Sequence, residues 1–169
     1  MSFLPRMYCL LAVLFLSAGA AGAQTTAAPQ SVNYGDWLFE CPANAPTRCA
    51  LTQRIINSET RDVVAKIGFA RLATGIEGYA MVLSVPDGVE LTTAPLYEVG
   101  KGEKNAMAWR VCVNGRCQAS ASVTVDQARN MQKAGKGAFL YFAYGQNAPT
   151  STPVSFRGLS EGLAALGAK

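Results

Sequence analysis

Apolar and polar positions alternate with period two along most of the chain. Val63, Ala65, Ile67 and Phe69 fall between Val64, Lys66 and Gly68, and Tyr79, Met81, Leu83 and Val85 form a second such set. Trp37, Phe39 and Cys41 share one side of a stretch whose other side carries Asp36 and Glu40. Met107, Trp109, Val111 and Val113 repeat the pattern. Successive side chains of a strand point to opposite faces, so this alternation predicts half-buried strands. Strands are expected from Asn33 to Cys41, from Cys49 to Ile56, over Val63–Phe69 and Tyr79–Val85, from Val89 to Thr93, and over Met107–Val113. Ala138 to Tyr144 is almost continuously apolar and aromatic, the pattern of a strand buried on both faces. A last strand is expected from Thr152 to Phe156.

Turn residues separate these segments. Pro42 to Arg48 holds two prolines and an Asn, Asn57-Ser58-Glu59 and Pro86-Asp87-Gly88 are turn-formers, and Gly100 to Asn105 is charged and glycine-containing. Asn114-Gly115 is the strongest hairpin signal, because a type I′ turn needs φ > 0 at both central residues. Folding about it sets Cys112 opposite Cys117 in the non-hydrogen-bonded pair, where Cα atoms approach to roughly 4.5 Å. The same folding leaves neither face of this hairpin cleanly apolar, and Trp109 argues for its own face as the buried one. Helical spacing appears twice. Thr124 and Gln127 form a capping box, with Asp126 in the first turn, Lys133 in the last and Gly135 as the stop. Leu159, Leu163 and Leu166 share one side of a second short helix. At least six short strands with turn signals between them predict an all-β, two-layer antiparallel β-sandwich with one or two short peripheral helices.

The first 23 residues change the setting. Arg6 and the α-amino group precede the apolar run Cys9–Leu16, and Ala21-Gly22-Ala23 is an A-x-A cleavage site. A run this short does not span a bilayer, which takes about 20 apolar residues. A cleaved signal peptide over 1–23 is therefore expected, then a flexible leader over 24–32 and a single domain over 33–169. Cleavage removes Arg6 and no acid, leaving 14 Lys and Arg against 11 Asp and Glu. So mild an excess does not predict nucleic-acid binding, which needs a concentrated basic stripe. Export to an oxidising compartment makes the four remaining cysteines a disulfide set. Three connectivities are possible for Cys41, Cys49, Cys112 and Cys117. The hairpin geometry favours the local pairs Cys112–Cys117 and Cys41–Cys49. A metal site is disfavoured, since zinc wants closer Cys pairs or His partners and the chain has no His.

Tyr34-Gly35-Asp36-Trp37 followed by Cys41, then Cys49-Ala50-Leu51-Thr52-Gln53, then Cys112 to Ala119, an apolar strand, and Val154-Ser155-Phe156-Arg157-Gly158-Leu159 stand in an order that resembles the invasion-associated locus B family of exported bacterial proteins. The resemblance runs over essentially the whole mature chain. It implies an immunoglobulin-like sandwich with local disulfides and a link to invasion of host cells, and it brings no catalytic residues.

The chemistry available points the same way. Without His, Ser-His-Asp and Cys-His nucleophiles are excluded. Gly100-Lys101-Gly102 and Gly135-Lys136-Gly137 lack the rest of a phosphate-binding loop, so no cofactor is expected. Trp37 and Trp109 are candidates for a ligand platform, and Lys101, Lys104, Arg110 and Arg116 for a basic surface near the hairpin. The expected function is a binding or interaction protein of the cell envelope, periplasmic or secreted, with an unknown protein or envelope partner. The alternative is a periplasmic hydrolase using paired carboxylates among scattered acids such as Asp36, Glu40, Asp87 and Glu90. Two acids lining one deep pocket would distinguish it.

Overall fold

The computed structural model describes residues 30–73 and 75–167. The expected signal peptide and residues 24–29 of the leader lie outside the described residues. Eleven strands and two helices follow in the order β1 (Gln30–Tyr34), β2 (Trp37–Cys41), β3 (Ala50–Ile56), β4 (Val63–Arg71), β5 (Tyr79–Pro86), β6 (Leu96–Val99), β7 (Lys104–Ala106), β8 (Ala108–Val113), β9 (Arg116–Val123), α1 (Val125–Ala134), β10 (Lys136–Tyr141), β11 (Thr150–Ser155) and α2 (Leu159–Leu166). They form a seven-stranded antiparallel sheet, β1-β2-β3-β4-β5-β9-β8, and a four-stranded one, β11-β10-β6-β7. The inner faces share one core, to which Trp37, Leu51, Ile67, Phe69, Met81 and Leu83 contribute from the larger sheet and Tyr97, Phe139, Tyr141 and Val154 from the smaller. The all-β two-sheet sandwich expected from the alternation is present.

The helices close the core rather than add a layer. Thr124 and Gln127 form the reciprocal capping box, and Gly135 ends α1 in the left-handed conformation. Leu159, Leu163 and Leu166 of α2 are buried. A Cβ added at Gly162 would collide with the Leu51 side chain, so α2 lies directly on β3. Both disulfides are local, Cys41–Cys49 and Cys112–Cys117. Asn114 and Gly115 have φ of 51° and 72°, as a type I′ turn requires.

Several boundaries differ from expectation. The first strand is a hairpin: Tyr34 pairs with Trp37 across Gly35-Asp36, and β1 takes in residues 30–32 of the expected leader. Val89–Thr93 is no strand; only Val89 bridges, to Ala143. Two strands were not expected, β6 and β7, which enclose a shorter charged loop. The aromatic run ends as a strand at Tyr141, and Leu140 is only half-buried, because β10 buries one face against the larger sheet.

The ambiguity of the β8–β9 hairpin has a physical cause. Arg110 is an extra residue, so Trp109 pairs with Ala119 and Val111 with Gln118. A bulge changes which face the later residues occupy. Trp109 and Cys112 therefore share the inner face with Cys117 and Ala119, while Val111 and Val113 turn outward.

Candidate functional site

The tryptophans and basic residues expected at a surface have separate fates. Trp37 is fully buried. Its indole N–H donates to the Ser155 carbonyl at 3.1 Å and its ring lies 5.4 Å from that of Phe69, so it is core and not a platform. It alternates with Phe39 and Cys41 on the inner face of β2, which decides its place. Trp109 is half-buried, its N–H tied to the Thr93 carbonyl at 3.0 Å. Arg116 is a bracket across three strands: its Nε donates to Ser84 Oγ at 3.0 Å, Nη2 to the Ser84 carbonyl at 2.7 Å and Nη1 to the Val63 carbonyl at 3.4 Å. Arg110 Nε donates to Ser120 Oγ at 2.8 Å. Lys101 and Lys104 belong to the β6–β7 hairpin of the smaller sheet, with Lys104 opposite Glu98. The four cations are thus divided between the two sheets.

A different group of residues comes together at one end of the sandwich. The β3–β4, β5–β6, β8–β9 and β10–β11 connections all meet there. The Asp87 N–H donates to the Gly115 carbonyl at 3.0 Å, Tyr144 N–H to Gly88 at 2.7 Å and Glu90 N–H to Phe142 at 2.8 Å, so three of these loops hold one another. Apolar side chains are exposed in and beside them: Ile56 and Val113, at the ends of β3 and β8, are 46% and 50% exposed, and Leu91 and Tyr144, in the connections, 51% and 77%. Between the sheets at this end lies a groove of about 370 Å³ lined by Ile55, Val64, Pro86, Val89, Tyr141 and Pro153, among others. Large exposed apolar groups gathered in one place mark a contact site more than singly scattered ones do. Sequence pattern alone pointed elsewhere, because Tyr144 closes an apolar run that reads as buried; the following Gly145, with φ of 74°, is the sign of a turn.

Four hollows among the described residues are each lined by a single carboxylate. A hollow of about 1070 Å³ at the opposite end, beside Cys49, Arg48 and Arg71, has Glu77 as its one carboxylate. The groove at the loop end has Asp87, and two further hollows have Asp36 and Glu103. Asp36 is held by Arg157, which with Ser155 keeps its carboxyl below the usual range. Glu90 is lowered by hydrogen bonds from Thr92. Neither has the raised pKa of a general acid. Among the described residues no group of His, Cys, Asp and Glu is placed to hold a metal ion, and all four cysteines there are bonded.

The family model for invasion associated locus B (IalB) proteins matches residues 37–167. The chain belongs to this family. The matched span takes in both disulfides, both helices and every strand except β1. The crystal structure of invasion associated protein B from Bartonella henselae superimposes with a TM-score of 0.71 at 19% identity, covering 82% of this chain and 96% of that one. At that identity the likeness is one of fold. No curated protein matches the sequence. As an IalB family member, the chain joins a sandwich stapled at both ends to a loop end rich in exposed apolar residues.

Proposed function

We propose that this IalB family protein is an exported binding protein of the cell envelope, which engages a protein partner through the loop end carrying Ile56, Leu91, Val113 and Tyr144. The observation that carries this reading is the gathering of exposed apolar side chains around a groove, on loops and strand ends of a rigid scaffold. The single carboxylate in the lining of each hollow supports binding over hydrolysis, since glycoside and related hydrolyses by carboxylates need two within about 5–10 Å of each other at one site. The disulfides and the N-terminal pattern support a periplasmic or secreted location. The structurally similar Bartonella henselae protein is named as invasion associated, and a host surface is one setting for such a partner.

Two measurements test the proposal. N-terminal sequencing of the protein from an envelope fraction should begin at Gln24; a chain retaining Leu10 to Leu16 would contradict export with cleavage. A photocrosslinking residue placed at Tyr144 should give a discrete protein adduct in intact cells, and one at Lys101 should not. Equal labelling from both positions, or none from Tyr144, would rule out the loop end as the contact site.

A further inference from the structure

The outer face of the seven-stranded sheet has its own chemistry and meets the loop end at Val113. Arg54 and Lys66 stand directly opposite each other on β3 and β4, and both are exposed. Like charges in that position destabilise a strand pair. Lys66 faces Ser84 on its other side, and Ser84 holds the Arg116 guanidinium. Arg110 reaches the same face through Ser120. The ion pairs among the described residues, Asp126–Arg129 and Asp36–Arg157, include none of these four cations. Glu40 is the acid within the face, and it lies level with Ala50, about 13 Å along β3 from Arg54. Glu59, Asp62 and Asp87 sit in the turns beyond the strand ends, and Asp36 is already taken by Arg157. Gly68, Ala80 and Ser120 keep the middle of the face low. At its edge, Val111 and Val113 are 49% and 50% exposed on the same side as Arg116.

We propose that this face docks on a membrane surface rich in anionic lipid, with Arg54, Lys66, Arg110 and Arg116 meeting lipid phosphates and Val111 and Val113 entering the headgroup layer. A flat array of cations matches a plane of negative charge better than a single small anion, which is bound in a pocket, or a linear acidic polymer, which is bound in a groove. The two valines add the apolar contact that a purely electrostatic surface lacks. Apposition to phosphates also relieves the Arg54–Lys66 repulsion that the isolated sheet retains. Each basic residue at an anionic surface contributes roughly a fivefold gain in partitioning.

The test is sedimentation of the full, oxidised protein with vesicles of phosphatidylcholine alone and of phosphatidylcholine with an equal part of phosphatidylglycerol. Binding is expected only to the mixed vesicles and should fall steeply with added salt, which screens charges beyond a Debye length. Arg54→Glu with Lys66→Glu should reduce it roughly 25-fold or more. Lys101→Glu with Lys104→Glu, the same charge change on the other sheet, should leave it within about twofold of the parent. Arg54→Glu alone puts an acid opposite Lys66, so it should bind less while melting no lower, a combination that a structural defect does not produce. Equal binding to both vesicle types, no binding to either, an equal loss from the Lys101/Lys104 variant, or retention on an acidic protein without any on vesicles would overturn the proposal.

Discussion

Asp36 and Arg157, 121 residues apart in the chain, clasp each other at the junction of the first hairpin and the last strand. Arg157 Nε donates to one carboxylate oxygen at 3.2 Å and Nη2 to the other, while the Asp36 N–H donates to the Arg157 carbonyl at 3.1 Å. The guanidinium is the main cause of the lowered Asp36 pKa, and Ser155 adds to it. A carboxyl lowered on folding stabilises the fold above its unfolded pKa, near 3.9, and loses that contribution as the pH falls through the lowered value. Asp36→Asn should therefore change stability little in relative terms between acid and neutral pH where the parent loses it. Urea midpoints measured from pH 6 downward should show a shallower acid limb in the variant. The effect should be small, because the side chains are 76% and 32% exposed and water screens the pair. Identical acid limbs would show that the pair adds nothing.

The same junction is closed by a glycine that tolerates no side chain. Gly158 has φ of 83°, and a Cβ there would run into the Tyr34 carbonyl. Gly158→Ala should cost at least about 2 kcal/mol, combining left-handed strain with backbone displacement. A variant melting with the parent would mean that β1 can move away from α2 freely.

The parts of this fold that could be read in the sequence are those decided by neighbours along the chain. Val63–Phe69 and Tyr79–Val85 declare one buried face by alternation, the Thr124–Gln127 box declares a helix start, and Asn114-Gly115 declares a turn that pairs the adjacent cysteines. The parts that could not be read depend on distant contacts. β6 and β7 are short and partly polar, and become strands only because β10 pairs with Leu96–Val99. The alternation puts Trp37 on an inner face, but the partner of its buried N–H is a carbonyl 118 residues away. The loop end collects Ile56 and Val113 from two strand ends and Leu91 and Tyr144 from two connections, and no local pattern links them. The face occupied by Val111 and Val113 follows from one unpaired residue, Arg110, which hydrophobic periodicity does not reveal.

The Asn114-Gly115 hairpin should withstand loss of its disulfide better than its short length suggests. Closing so small a loop constrains the unfolded chain little, so Cys112→Ser with Cys117→Ser should cost roughly 2 kcal/mol and leave the circular dichroism of the sheets unchanged. Gly115→Val should do comparable damage. Nothing lies within 4 Å of a Cβ at Gly115, so its cost is that of holding a β-branched residue at φ of 72°, about 1–2 kcal/mol. Unfolding of the double serine variant at room temperature would show that the bond, and not the turn, sets the register.

Gln53 joins the two sheets through its side chain, and its loss should be the most damaging polar change in the core. It is 5% exposed on the inner face of β3. Its Nε2 donates to the Ser155 carbonyl at 3.0 Å and to the Asp36 carbonyl at 3.3 Å, and its Oε1 accepts from the Ser155 N–H at 3.1 Å. Three backbone groups at the β2 and β11 ends thus depend on one amide. Gln53→Met keeps the volume and removes every partner. The Ser155 carbonyl retains the Trp37 N–H, but the Ser155 N–H is left without its acceptor in a partly buried position. Leaving a buried group unsatisfied costs about 1–3 kcal/mol, more than a hydrogen bond contributes on average, so Gln53→Met should lose roughly 2–3 kcal/mol. Ser155→Ala removes a hydroxyl that accepts from the Arg157 N–H at 3.2 Å and helps hold the Asp36 carboxyl in its ionised form, and it leaves the backbone bracket intact. It should therefore cost less. Urea unfolding of both variants tests the order, and a Ser155→Ala loss equal to that of Gln53→Met would mean that the hydroxyl, not the glutamine bracket, ties the sheets together.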